Sequence, residues 1–140
     1  MKYVLDSSVA FKWLVPEVDT DKALRIRDDY NLAVCELIAP DIFPVETTHA
    51  LTRAERQGRV TPAQGATLLK DLLKNLPQLY PYMPLLSRAY EISSNMKIGV
   101  YDCLYLALAE RERCEFVTAD TKLNHVRTAF PFIVPIMSLP

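Results

Sequence analysis

Four acidic side chains, Asp6, Glu46, Asp102 and Asp120, stand where a carboxylate is costly, at the end of an apolar strand or on the inner face of a helix. Asp6 closes the run Tyr3-Val4-Leu5, which reads as a buried strand. The helix-capping residues Ser7-Ser8 follow, so Asp6 falls on a strand-to-helix turn. Asp120 ends a second such run, Phe116-Val117-Thr118-Ala119. Over residues 41–57 the apolar Ile42, Phe43, Ala50, Leu51 and Ala54 share one side of a helix, and the spacing turns Glu46 to that side. Asp102 opens a segment, residues 101–113, that is apolar almost all round and therefore buried, and its first-turn position sets an anion at the positive end of the helix dipole.

Two strand ends and two inward helix faces can converge on one crevice, because ligand sites in open α/β sheets lie beyond the carboxyl ends of the strands. Like charges about 4 Å apart repel by roughly 4 kcal/mol at an effective dielectric near 20, so such a cluster takes up protons or binds a cation. An all-oxygen donor set suits Mg²⁺ or Mn²⁺ rather than Zn²⁺, and Mg²⁺ commonly completes its shell with substrate phosphate. The chemistry indicated is that of phosphodiesters. Taken singly, the acids have plainer roles: Asp6 and Asp120 as caps, Asp102 as a favourable first-turn acid. Glu46 resists that treatment, since Arg53 and Arg56 stand too far along the same helix to pair with it. One shared cation accounts for all four.

Other chemistries lack their residues. His49 and His125 have no motif joining them to a serine, so Ser7 and Ser8 are not nucleophiles. His49, a turn past Glu46, reads as a partly buried structural or rim group. Gly58, Gly65 and Gly99 form no phosphate loop. Ser8 occupies the place where a phosphotransfer enzyme of Asp-x-Asp type needs its second acid, and the acidic pair of a response-regulator receiver is missing. Cys35, Cys103 and Cys114 make an odd count without C-x-x-C spacing and read as core thiols. A net charge of -1 excludes a protein that coats nucleic acid but leaves room for a local basic rim. Lys12, one helix beyond Asp6, and Arg53, Arg56 and Arg59, following Glu46 along its helix, are the candidates. No apolar run approaches the roughly 20 residues of a membrane span and no signal-peptide core is present, so a cytoplasmic protein is expected.

Chain punctuation supplies the elements that must position these groups. A helix stopped by Pro16 follows the first strand, and Asp19-Thr20-Asp21 opens another. Leu37-Ile38-Ala39 is a strand ended by Pro40, and Gly58 ends the helix carrying Glu46. Thr61-Pro62-Ala63-Gln64 is a capping box with Pro at the first helical position, opening a helix to about residue 76 with a stripe of Leu68, Leu69, Leu72, Leu73 and Leu76. That stripe suits a core, a dimer surface or a groove for a partner helix. Short strands at 78–80 and 133–134, a helix at 85–96 and a short helix at 121–125 complete the pattern. Alternation of strands and helices predicts an α/β fold with a mainly parallel sheet of about five strands and right-handed crossovers, formed by residues 1–140 as one domain.

Five segments in this order and spacing resemble the PIN domain family, and within it the VapC-type toxins of toxin–antitoxin pairs. They are Leu5-Asp6-Ser7-Ser8-Val9, Lys12-Trp13, Ala39-Pro40-Asp41-Ile42-Phe43-Pro44-Val45-Glu46, the helix start from Val100-Tyr101-Asp102 to Ala109, and Phe116-Val117-Thr118-Ala119-Asp120. The resemblance implies a three-layer α/β/α fold. It implies an endoribonuclease dependent on Mg²⁺ (or Mn²⁺), the metal held by residues matching Asp6, Glu46, Asp102 and Asp120. Thr118 matches the hydroxyl beside the last acid, and Asn124 stands where some relatives carry a further acid. Lys12 and Arg53 are then candidates to place RNA. A cognate antitoxin and a homodimer are the implied partners. The rival expectation is a PIN-like module that binds RNA or protein without cutting, which would tolerate Asp6→Asn and Asp102→Asn.

Overall fold

The computed structural model describes residues 1–140. Its centre is a five-stranded sheet of β1 (Lys2–Leu5), β2 (Glu36–Pro40), β3 (Gln78–Tyr80), β4 (Glu115–Thr118) and β5 (Ile133–Pro135), ordered β3-β2-β1-β4-β5 with every pair parallel. The inner strands β1 and β4 read as unbroken apolar runs because both faces are covered. Val4, Leu5, Phe116 and Val117 are fully buried, and Leu5 lies opposite Val117.

The helices are α1 (Ser7–Leu14), α2 (Thr20–Asn31), α3 (Phe43–Arg56), α4 (Pro62–Lys74), α5 (Leu86–Met96) and α6 (Val100–Glu112). From β1 to β2 to β3 the chain steps in one direction across the sheet, and from β3 it returns past β1 to β4. Right-handed crossovers therefore lay α1 to α4 on one face and α5 with α6 on the other. Helix α1 packs against α2, α3 and α4, while α6 packs against α5 and against β1, β2 and β4. The reversal falls between β1 and β4, the place where open parallel sheets form a crevice.

Several boundaries follow the expected chemistry. The capping box at Thr61 forms, with the Gln64 N–H donating to Thr61 Oγ1 at 3.1 Å and the Thr61 N–H to Gln64 Oε1 at 2.8 Å. Gly58 ends the turn after α3 in the left-handed region at φ 76°. That turn corrects one expectation: α3 stops at Arg56, so Arg59 lies beyond the helix instead of along it. The leucine stripe of α4 is divided, with Leu72 buried, Leu68, Leu69 and Leu76 partly buried and Leu73 exposed. Of the thiols, Cys35 and Cys103 are in the core and Cys114 is half-buried.

Candidate active site

Asp6 leaves the end of β1 with its backbone N–H still donating to the Val117 carbonyl at 3.0 Å, so the first and fourth strands stay paired up to the crevice. It occupies the N-cap position of α1, yet its side chain does not cap the helix. Instead Oδ2 accepts two hydroxyls, Ser8 Oγ at 2.8 Å and Thr118 Oγ1 at 2.6 Å. Those hydroxyls are themselves aimed from the backbone. The Ala119 N–H donates to Ser8 Oγ and the Asp120 N–H to Thr118 Oγ1, each at 3.0 Å. Each hydroxyl thus spends its one proton on Asp6, and the carboxylate of β1 is locked to the end of β4. The residue is 4 % exposed, and burial raises the pKa of its carboxyl in spite of these hydrogen bonds.

Asp102 sits in the first turn of α6, half-buried, its carboxylate making no hydrogen bond or ion pair with the rest of the chain. Burial first, then repulsion from Asp6, Asp120 and Glu46, pushes its carboxyl up to about 7, opposed by Lys122. Asp120 does what its sequence position allowed: Oδ1 accepts the Lys122 N–H at 2.9 Å and caps the 3-10 turn Thr121–Val126. It nevertheless lines one cavity of about 420 Å³ with Asp6 and Asp102, so capping and site membership are not alternatives.

Glu46 lies at the edge of the buried face of α3, which is formed by Phe43, Thr47, Leu51 and Ala54. Neither Arg53 nor Arg56 pairs with it. Its partner is Tyr105, whose hydroxyl donates to Oε1 at 2.7 Å. The Tyr105 ring is held by stacking on Phe116 of β4, with centroids 5.6 Å apart. Burial raises the Glu46 pKa, the Tyr105 hydrogen bond lowers it, and the charge of Asp6 raises it further. Tyr105 and Ser8 are the site residues that sequence reasoning missed. Tyr105 carried a signal, a phenol three residues after Asp102 inside the apolar run Cys103 to Ala109, and a buried phenol needs a polar partner.

The other candidates are placed as follows. Lys12, on α1, and Arg53, on α3, line the same cavity as Asp6, Asp102 and Asp120. Asn124 is exposed and lines an adjoining cavity of about 260 Å³ that Lys12, Thr118 and Asp120 also border. His49 is exposed instead of partly buried.

The donor set is all-oxygen and anionic, with burial and mutual repulsion raising three of its four members. No three acidic side chains close into a ready-made cage. The fit to Mg²⁺ or Mn²⁺ is in the donor chemistry alone, since these ions take carboxylate oxygens and complete their shells with water.

Comparison with known proteins agrees with this architecture. The PIN domain matches residues 3–129, and the chain belongs to that family. It is 32% identical over 93 residues to Ribonuclease VapC9 of Mycobacterium tuberculosis, covering 66% of this chain and 72% of that one. It is 27% identical over 136 residues to Ribonuclease VapC3 of Pyrobaculum aerophilum, covering 96% and 98%. Among solved structures, PAE2754 from Pyrobaculum aerophilum superposes with a TM-score of 0.70 at 21% identity over 99% of this chain and 94% of that one. VapBC2 from Rickettsia felis, bound to a DNA fragment from its promoter, superposes with a TM-score of 0.67 at 15% identity over 96% and 97%. These likenesses bear out the three-layer α/β/α fold with its parallel sheet.

Proposed function

We propose that the chain is a Mg²⁺- or Mn²⁺-dependent endoribonuclease, the toxin of a toxin–antitoxin pair. The observation that carries this reading is the lone Asp102 carboxylate, which shares one crevice with Asp6 and Asp120 and is repelled also by Glu46, which borders the neighbouring cavity; none of the four is in an ion pair. A divalent ion would supply the missing positive charge, together with a water acidic enough to attack a phosphodiester. Asp6, Glu46, Asp102 and Asp120 would hold it, one or two of them directly and the others through its waters. Ser8 and Thr118 orient Asp6, Tyr105 orients Glu46, and Lys12 and Arg53 offer positive charge to the RNA backbone at the crevice mouth. Curated relatives named as VapC ribonucleases support RNA as substrate.

A protein partner is supported by solved relatives that are described as VapBC2 and as a toxin–antitoxin complex. A second copy of the chain is supported by an apolar surface around a cavity of about 530 Å³, where Val45, Tyr82, Leu86 and Tyr101 are exposed side by side.

The test is to incubate the purified chain with a pool of structured RNAs in Mg²⁺, Mn²⁺ or EDTA. Internal cleavage is expected with either cation and none with EDTA. Intact RNA under all three conditions would favour the non-catalytic binding module.

A further inference from the structure

We propose that Lys12 and Arg59 form a binding site for one backbone phosphate of the RNA beside the acidic crevice, and that Glu17 fills that site until RNA displaces it. The inference rests on the ribonuclease reading above and adds a phosphate subsite and its internal competitor.

Glu17 lies in the loop between α1 and α2, and its two carboxylate oxygens are shared between two cations. Lys12 Nζ approaches Oε1 at 3.3 Å, and Arg59 Nη2 approaches Oε2 at 3.2 Å. A Lys and an Arg converging on the two oxygens of one anion is the arrangement that also receives two non-bridging phosphate oxygens. All three residues line the cavity that Asp6, Asp102 and Asp120 line. A phosphate seated there would therefore be continuous with RNA lying across the carboxylates.

Both cations are held from behind. The Lys12 side chain is 11% exposed, on the helix that starts immediately after Asp6. The Arg59 guanidinium stands over the Phe11 ring, 5.6 Å from its centroid, after the Gly58 turn has brought the chain back from α3. Glu17 is tethered too: its N–H donates to Thr20 Oγ1 at 2.9 Å, and that hydroxyl donates to the Lys12 carbonyl at 3.3 Å. The carboxylate itself stays partly in solvent, where ion pairs are weak and salt-screened, so an incoming phosphate can replace it without unfolding the loop. Arg53 lines the same cavity without an ion pair and needs no such release.

The experiment measures binding of a labelled single-stranded RNA by fluorescence anisotropy over a series of KCl concentrations, without divalent ions. Every protein carries Asp6→Asn so that binding is read without cutting. Glu17→Gln is expected to tighten Kd several-fold and to steepen the slope of log K against log salt by up to roughly 0.7, the value for one phosphate on a single strand, which the Glu17 charge leaves incompletely neutralised in the parent. Glu17→Ala must move both quantities the same way, and thermal unfolding of each variant confines the comparison to folded protein. In a background of Lys12→Gln with Arg59→Gln, Glu17→Gln is expected to have no effect. The proposal is overturned if removing the Glu17 charge leaves Kd and slope unchanged, or tightens binding equally with and without the two cations. If the parent protein binds no RNA at any salt concentration, the ribonuclease reading fails first and the phosphate site falls with it.

Discussion

At the scale of single residues, the site is organised by hydroxyl groups that point at carboxylates. Thr118 and Ser8 donate to one oxygen of Asp6, and Tyr105 donates to one oxygen of Glu46. Such supporting groups typically govern a ligand's orientation, and their loss costs roughly 10–100-fold in metal affinity or activity. Thr118→Val, nearly the same shape without the donor, is accordingly expected to lower the rate of RNA cleavage by about that factor. Tyr105→Phe keeps the stacking on Phe116 and removes only the donor to Glu46. It should slow cleavage roughly tenfold or more while the far-ultraviolet circular dichroism stays unchanged. A Tyr105→Phe protein with wild-type rates would remove Glu46 from the working site. The sequence marked all four acids, through their position against apolar runs, because burying a charge violates a strong compositional rule. It did not mark Ser8 or Tyr105, whose roles depend on where β4 lies beside β1 and on a contact between α3 and α6, 59 residues apart.

At the scale of elements, α6 and the ends of β1 and β4 crowd acids together at a cost that pH reveals. The folded Asp102 carboxyl titrates at about 7, against 3.8 for the free group. Between those values the folded chain holds more of the proton than the unfolded chain does, so stability is higher at the acid end of that window and falls as pH rises towards 7. Asp6 and Glu46 shift in the same direction and add to the slope. In EDTA the stability should therefore decline from pH 5 to pH 8 by on the order of 1–2 kcal/mol once partial solvent screening is allowed for, and the melting temperature should fall with it. Asp102→Asn should flatten that decline; an equal slope in wild type and variant would mean that the Asp102 carboxyl is not strained. Helix and strand order were legible because the punctuation is local: Pro16, Pro40, Gly58 and the Thr61 capping box each act on the residue next to them. The path of the chain after Arg56 was not, since a single left-handed turn at Gly58 redirects Arg59 from the α3 surface to Phe11 and Glu17.

At the scale of the whole molecule, a cation at the crevice would join elements from both sides of the sheet and so stabilise the fold by linkage. Protons compete for the same carboxylates, so Mn²⁺ should raise the melting temperature at pH 8 and do little at pH 5. A rise of equal size at both pH values would place the ion elsewhere. The parallel sheet was readable from the alternation of strands and helices. Its order was not, because the switch past β1 to β4 is made by long-range pairing that no local pattern encodes. The exposed Val45, Tyr82, Leu86 and Tyr101 belong to this scale as well. A dimer by light scattering that Tyr101→Arg converts to a monomer is the expected result, and a monomeric wild type would assign that surface to another partner.

Ribonuclease function at this crevice requires that the carboxylates do the cutting. The most direct measurement is cleavage of one RNA pool in Mn²⁺ by the wild-type chain and by Asp6→Asn, compared at matched folding by circular dichroism. Cleavage by the wild type that disappears in the variant is the predicted result. Cleavage retained by a folded Asp6→Asn protein would contradict this reading, because Asp6 carries the carboxylate to which Ser8 and Thr118 donate, at the point where its backbone N–H joins β1 to β4.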